Sequence, residues 1–368
     1  MQVVRSLDEE LWRRFMERHP ASNVFHTPEM FQVFARTERH RPTLWAVTNA
    51  AGEILALFLP VQIRVTGFLP HCLNTRAVAY GSVLHEAGLS EGDEALSLLL
   101  RTYTREVDGA PLFTELRNLS DLDGAQCILR EHRFVYEDHL NYLIDLNGSP
   151  EQIFQRFGPR TRKNLRRALK QGVVMIEEAT DSQQISACYE ILRSTYLRAR
   201  VPLADRSLFE SAFASLYPRG MVRFTLARVG STPVAASAEL LYKKAIYGWY
   251  GGVDRAYSNH IPNELLMWHI LKWGAENGYA VYDFGGAGKP DEEYGVRNFK
   301  AKFGGRLVCY GRNTLVHAPR LLFVSRFGYG AYRRLLARSG GTRTRINRPN
   351  CPALASQFPS PPGREPHG

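Results

Sequence analysis

The chain has 368 residues, 44% of them hydrophobic, and carries a formal charge of +11 with a pI near 9.5. That length and apolar content suit two domains with substantial cores. No uninterrupted apolar run is long enough to cross a bilayer as a helix, and Met1 to Pro20 mixes Asp, Glu, Arg and Trp rather than forming an apolar signal segment. The five cysteines are odd in number, far apart and never in a C-x-x-C pair, which excludes a disulfide framework and a cysteine zinc site. The expected setting is the cytoplasm, with peripheral contact at the inner membrane face left open. A positive field of this size favours anionic partners such as phosphorylated cofactors, RNA or acidic headgroups, and does not choose among them.

The first 145 or so residues alternate helical and extended patterns. Leu11 to Arg18 has an amphipathic helical pattern, and Thr27-Pro28 opens a second helix, because Thr caps well and Pro suits the first turn. Pro42–Asn49, the turn at Ala51-Gly52-Glu53 and the apolar run Ile54–Ile63 predict a β-hairpin. A helix from Glu94 to Val107, a strand at Phe113–Arg117, a helix at Ala125–Glu131 and a strand at Tyr142–Asp145 follow. Asn147-Gly148-Ser149-Pro150 is a compact breaker cluster and marks a domain boundary.

After it the pattern restarts. Helices are expected at Pro150–Phe157 and Thr161–Lys170, a strand at Val173–Glu177, a long helix at Ser182–Ala199 and another at Ser207–Leu216. Phe224–Val229 and Val234–Tyr242 form a hairpin, Ala245–Val253 a third strand, Asn263–Asn277 a long helix and Ala280–Phe284 a further strand. Leu307–Leu315 is expected to close the sheet. Helices alternating with short apolar strands mean an α/β class, with mixed central sheets flanked by helices. Residues 1–147 and 148–337 share a helix–strand–hairpin–helix–strand order. The segment 338–368, rich in Pro, Arg, Ser and Gly, is expected to be a disordered tail.

Several groups stand out chemically. The helix from Arg160 to Lys170 holds Arg160, Arg162, Lys163, Arg166, Arg167 and Lys170 with no acid, and helical spacing puts Lys163, Arg167 and Lys170 on one face. Such a face meets phosphates of a carrier or headgroup, or is simply solvated. Asp283 ends a strand, where α/β sheets place ligand crevices, so its carboxylate could accept an amine proton or cap a turn. Glu239 lies among Ala235, Ser237 and Leu241 as a candidate base or a paired structural charge. Tyr247, Trp249 and Tyr250 make an aromatic strand suited to core packing, with Tyr250 also a candidate for substrate contact. Lys300 follows the Gly285–Gly288 stretch and precedes Phe303-Gly-Gly305, which makes it a candidate fixed cation beside a glycine-rich turn. Asn263 at a helix start could receive an anion. The scattered histidines show neither metal spacing nor a nucleophile elbow. Leu321–Phe327 and Ala331–Leu336 form a basic apolar C-terminal pattern that docks on the domain or meets a membrane surface.

Several blocks together resemble the FemABX-type branch of the GNAT superfamily, which includes CelD-like acetyltransferases. They are Arg160-Thr-Arg-Lys-Asn164 through Gly172, Pro233-Val-Ala-Ala236, Asn263-Glu-Leu-Leu266 through Gly278, Gly278 through Gly285, and Phe299-Lys300-Ala-Lys302-Phe303-Gly304-Gly305. They span about Gly148 to Arg312. The first half matches more loosely, through Phe25-His-Thr-Pro28 and Leu59-Pro60. The resemblance implies tandem GNAT-like domains and transfer of an acyl or aminoacyl group to an amine, without metal. The donor it implies is acyl-CoA or aminoacyl-tRNA, and the acceptor an amine on a cell-envelope precursor, lipid-linked or small, or on a saccharide. It also implies an oxyanion role for Lys300, a tRNA-base contact for Phe299 and an acceptor-phosphate contact for Arg198 or Arg200. One departure is the stretch Gly252 to Asn263, which lacks the glycine pair that wraps a diphosphate in GNAT proteins. The opposing reading is a non-catalytic GNAT-like module that binds RNA or anionic headgroups.

Overall fold

Local capping signals set the helix starts. The Thr27 hydroxyl accepts from the Met30 amide at 3.2 Å with Pro28 in the first turn, and Ser149 and Gln152 form a reciprocal capping box. The structure, a computed structural model, describes residues 1–64, 70–86, 88, 90–107, 111–199, 201–293 and 295–325. The expected tail 338–368, the Ala331–Leu336 pattern and Arg200 lie outside the described residues.

The first half runs β1 Gln2–Val4, α1 Glu9–Arg18, α2 Pro28–Arg36, β2 His40–Pro42, β3 Trp45–Thr48, β4 Ile54–Phe58 and β5 Val61–Arg64. It continues with β6 Thr75–Tyr80, β7 Val83–His85, α3 Ser90–Glu106, β8 Phe113–Arg117, α4 Asp123–Glu131, β9 Val135–Glu137 and β10 Leu140–Asp145. Then come α5 Pro150–Gln155, α6 Pro159–Gln171, β11 Val174–Glu178, α7 Ser182–Ala199, α8 Arg206–Leu216, β12 Val222–Val229, β13 Thr232–Tyr242 and β14 Ala245–Val253. The described elements end with α9 Pro262–Glu276, β15 Val281–Gly286, α10 Gly295–Ala301, β16 Arg306–Cys309 and β17 Arg312–Val316.

Three sheets form, in the orders β1-β3-β4-β7, β2-β5-β6-β8-β17-β9 and β11-β12-β13-β14-β15-β10-β16. Two runs expected as single strands are each split between sheets. Ile54–Ile63 breaks at Pro60, so β4 pairs with β3 while β5 pairs with β2 and β6; proline offers no N–H to continue a ladder. Leu307–Leu315 breaks at Gly311, whose φ of 68° turns the chain from β16 into β17.

These breaks interlock the halves. β10, from before the breaker cluster, lies in the seven-stranded sheet between β15 and β16, whereas β17, from near the end of the described chain, lies in the six-stranded sheet between β8 and β9. One hydrophobic core is also shared. Phe25, Met30, Val33, Phe34, Val61 and Val78 of the first half pack with Leu192, Phe209, Leu216, Phe224 and Leu240 of the second. A second core, under α9, holds Ile144, Leu165, Ile246, Leu266, Ile270, Tyr282 and Phe303. Residues 319–325 are helical, and Leu322 docks against Leu112 and Phe113.

Candidate active site at the seam between two sheets

Side chains alternate across a strand, so register decides which residues share a face. In the six-stranded sheet Val78 pairs with Glu115, Tyr80 with Arg117, and Arg312 with Arg117. Arg76, Tyr80, Glu115, Arg117 and Arg312 therefore line one face. The opposite face, with Ala79, Leu116 and Leu315, packs under α3 and α4.

Across the seam stands the seven-stranded sheet. Its parallel pair, β14 and β15, is registered only through Ala245–Val281, Ile246–Tyr282 and Tyr247–Asp283. Past that point β14 runs on to Val253 beside β13, while β15 continues to Gly286 paired with β10 alone. Tyr247 and Asp283 sit where the two strands part. The Phe25 ring joins the two faces, stacked on Tyr80 at 5.1 Å and edge-on to Tyr247 at 5.2 Å.

The arginine face is electrostatically unequal. Arg117 Nε meets Glu115 Oε1 at 2.5 Å and Arg312 Nη1 lies 3.4 Å from Glu115 Oε2. Burial works against the Glu115 carboxylate, but the charges of Arg117, Arg312 and Arg76 hold it down at about 2. Arg312 Nη2 also lies 2.9 Å from His139 Nε2. A guanidinium only donates, so His139 Nε2 carries the lone pair. Burial and the Arg312 charge push His139 down to about 3, so it stays neutral. Arg76 has no ion-pair partner among the described residues, and its Nε is buried without a hydrogen-bond partner.

On the facing side, Asp283 Oδ1 accepts from the Gly285 amide at 2.6 Å, and Asn141 Nδ2 lies 3.3 Å from Oδ2. Burial lifts this carboxyl to about 6, against the pull of the Gly285 N–H, the Lys300 charge and Asn141. The Lys300 ammonium donates to the carbonyls of Phe284 at 2.6 Å, Gly285 at 3.3 Å and Gly286 at 2.8 Å. Burial lowers it to about 8, opposed by Asp283. Its three N–H bonds are thus directed at backbone, fixing the exit of β15 beside Asp283. Tyr247 and Tyr250 border the same seam, and burial raises both phenols, well above the ordinary value for Tyr250. Tyr250 also packs edge-on to Phe209 at 4.8 Å.

The other residues singled out from sequence fall elsewhere. Glu239 pairs with Gly248 and shares its strand face with Ala235 and Leu241, under α9, the opposite side of the sheet from Asp283. There it is 1% exposed, with Ser237 Oγ donating to it at 3.2 Å. Burial raises it to about 8, so it is protonated near neutral pH. Phe299 packs edge-on to Phe303 at 5.3 Å, and Lys302 reaches Glu264 of α9 at 2.7 Å. The F-K-x-x-F-G block is therefore a clasp between α9 and the end of β15. Arg198 donates to the Val253 carbonyl at 2.8 Å, tying α7 to the end of β14. Lys163 and Arg167 are exposed on the outer face of α6.

Asn263 stands in the first turn of α9, capped by Ile261 with no side-chain bond to the helix amides. The preceding segment, Arg255–His260, is a 3-10 helix without glycine and offers no glycine nest to a diphosphate. Among the described residues no group of three or more His, Cys, Asp or Glu could hold a metal, and no helix is long and apolar enough to cross a membrane.

The sequence reading missed Arg76, Tyr80, Glu115, Arg117, His139 and Arg312. The available signal was charge at alternate positions in apolar strands, as in Glu115-Leu-Arg117. On a lone sheet that pattern is a solvated face; here a second sheet covers it.

The fold is that of tandem GNAT proteins, with helix-flanked mixed sheets meeting at the seam. Residues 156–300 match the family model described as "Acetyltransferase (GNAT) domain". The chain resembles FemABX-type GNAT proteins in fold. It resembles the lipid II:glycine glycyltransferase of Staphylococcus haemolyticus (strain JCSC1435), 21% identical over 236 residues, 46% of this chain and 56% of that protein. The chain thus spans about half the length of this curated relative. The solved structure of FemX superposes with a TM-score of 0.67 at 14% identity, covering 88% of this chain and 99% of that one. A tandem GNAT protein from the clavulanic acid biosynthesis pathway, solved without AcCoA, gives 0.56 at 11% identity over 86% and 98% of the chains.

Proposed function

We propose that the chain catalyses direct transfer of an acyl or aminoacyl group from an activated donor to an amine, at the seam where β14 and β15 part. The observation that carries this is Asp283, a carboxyl lifted to about 6 at that divergence. A base with this affinity is ionised at neutral pH yet basic enough to take the proton an amine loses as it attacks a carbonyl. The new C–N bond forms as the carbonyl π pair moves onto oxygen. The amine proton passes to Asp283, and collapse of the tetrahedral species expels the donor's leaving group. The un-ionised Tyr247 hydroxyl, beside Asp283, is placed to donate to the oxyanion.

Lys300 enters this scheme as a positioning cation rather than the oxyanion donor expected from sequence, because its N–H bonds are committed to three carbonyls. The name of the staphylococcal relative supports an amine on a lipid-linked cell-envelope precursor as acceptor. The GNAT domain match is consistent with acyl-CoA as donor, and aminoacyl-tRNA competes with it. The division into domains at residues 147 and 148 is retained as a division of chain segments, with one strand exchanged each way. An inert anion-binding module would have no use for a base poised at Asp283.

The test is amine acylation with acyl-CoA and with aminoacyl-tRNA, offering a nucleotide-linked muropeptide as acceptor. Asp283→Asn should lower the rate by about 10²–10⁴-fold while keeping the fold. In the native chain the rate should rise with pH through about 6. An unimpaired Asp283→Asn variant would refute the assignment.

A further inference from the structure

The arginine face asks for negative charge that the described residues around it do not supply. Three guanidiniums, Arg76, Arg117 and Arg312, stand around one carboxylate, Glu115. His139 beside them is neutral, and across the seam Lys300 and Asp283 cancel one another. Among the described residues two positive charges are therefore left over, in a part of the molecule where burial and mutual repulsion already lower the proton affinity of Arg76 and Arg312. A network built for stability would close on an acid for each cation, since an unpaired buried charge costs several kcal/mol. Here Arg117 and Arg312 share Glu115, while Arg76 feels Glu115 only at a distance, makes no ion pair among the described residues and has its Nε buried without a hydrogen-bond partner. The face is not sealed: the Arg117 and Arg312 side chains keep 27% and 18% of their exposure.

We infer that Arg76, Arg117 and Arg312 form a binding site for a small-molecule phosphate group carrying about two negative charges, a phosphate monoester or a diphosphate diester. Charge selects this class over a lone carboxylate, which would cancel only half the surplus. Geometry agrees, because planar guanidinium forks match phosphate oxygens in pairs. Glu115 serves as the spacer that keeps Arg117 and Arg312 together in the unliganded state. The site stands on its own charge balance and is tested by binding, without turnover.

The experiment follows thermal unfolding of the full chain at constant ionic strength, set with NaCl, against methyl phosphate, inorganic diphosphate, coenzyme A and UDP-N-acetylglucosamine. At least one phosphate probe should raise the midpoint saturably. Arg76→Met should weaken that response at least tenfold in ligand concentration and leave the unliganded midpoint unchanged or higher, since it removes a repelled charge. Arg76→Lys should recover part of the response. Phosphorus NMR line broadening of inorganic diphosphate by the native chain gives a second reading that needs no variant. A response to coenzyme A alone makes the group the donor's, and a response to the UDP-sugar alone makes it the acceptor's; both support the site. No saturable response and no broadening with any probe would overturn it, as would a response that survives Arg76→Met. Neither result bears on the Asp283→Asn activity test, so the two readings fail separately.

Discussion

Arg312 Nη2 and His139 Nε2 lie 2.9 Å apart, which joins a strand of the six-stranded sheet to the segment that leads into β10 of the other. The contact requires neutral imidazole, and His139 is held there with its affinity for a proton pushed down to about 3. In the unfolded chain the same group titrates near the ordinary histidine value of 6.5. As pH falls below 6.5 the unfolded state takes up a proton that the folded state refuses. Stability present above pH 6.5 is therefore lost toward pH 3, at about 1.4 kcal/mol per pH unit for one such group. His139→Gln should keep an acceptor for Arg312 and make the acid limb of the unfolding curve shallower. A limb unchanged in denaturant titrations from pH 4 to 7 would contradict the burial of this ring.

Glu239 has the opposite sign. Its folded carboxyl is raised from 4.5 to about 8, so between those values the folded state holds a proton that the unfolded state has lost. Stability falls as pH rises through that window, again by about 1.4 kcal/mol per pH unit. Glu239→Gln should flatten the dependence between pH 5 and 8 and leave the chain as stable or more so at pH 8. Because Glu239 lies on the α9 side of the sheet, amine acylation should change little. A loss of rate comparable with that of Asp283→Asn would place chemistry on that face instead.

Lys300→Met should destabilise the chain by roughly 2–4 kcal/mol, since it strips the donor from three carbonyls at the exit of β15. It should also shift the pH dependence of the rate: with the cation gone, the Asp283 carboxyl rises, so the pH at half-maximal rate should move above 6. A drop in rate with an unmoved pH profile would indicate direct contact with the reacting carbonyl rather than positioning.

Gly311 makes the turn that sends the chain from one sheet to the other, with φ at 68° and no room for a Cβ against the Tyr136 ring. Gly311→Ala should cost about 1–3 kcal/mol from the backbone conformation and the displaced ring together. Loss of hydrogen-exchange protection should appear in β17 and β9 before it appears in α9. Uniform loss across the chain would mean that the crossing is not a local weak point.

Much of the fold could be read from residues alone. Phe113–Arg117, Ser182–Ala199 and Ala245–Val253 end where their patterns end, and Thr27-Pro28 and Ser149-Pro150 start helices as their chemistry requires. Asp283 and Lys300 stood out in the sequence through an expected strand end and a motif, although β15 runs on past Asp283 to Gly286. Local periodicity and capping involve neighbours within a few residues, which a sequence displays directly.

What the tertiary structure alone decided is partnership between distant strands. Nothing within Ile54–Ile63 or Leu307–Leu315 states that its two ends belong to different sheets. Nothing in Glu115-Leu-Arg117 states that a second sheet covers it. The exchange of β10 and β17 brings Arg312 beside Arg117 and His139 beside Arg312, and it turns three ordinary strand arginines into a charged seam. Charge and burial at a side chain depend on what packs against it from elsewhere in the chain, and the linear order of residues carries no record of that.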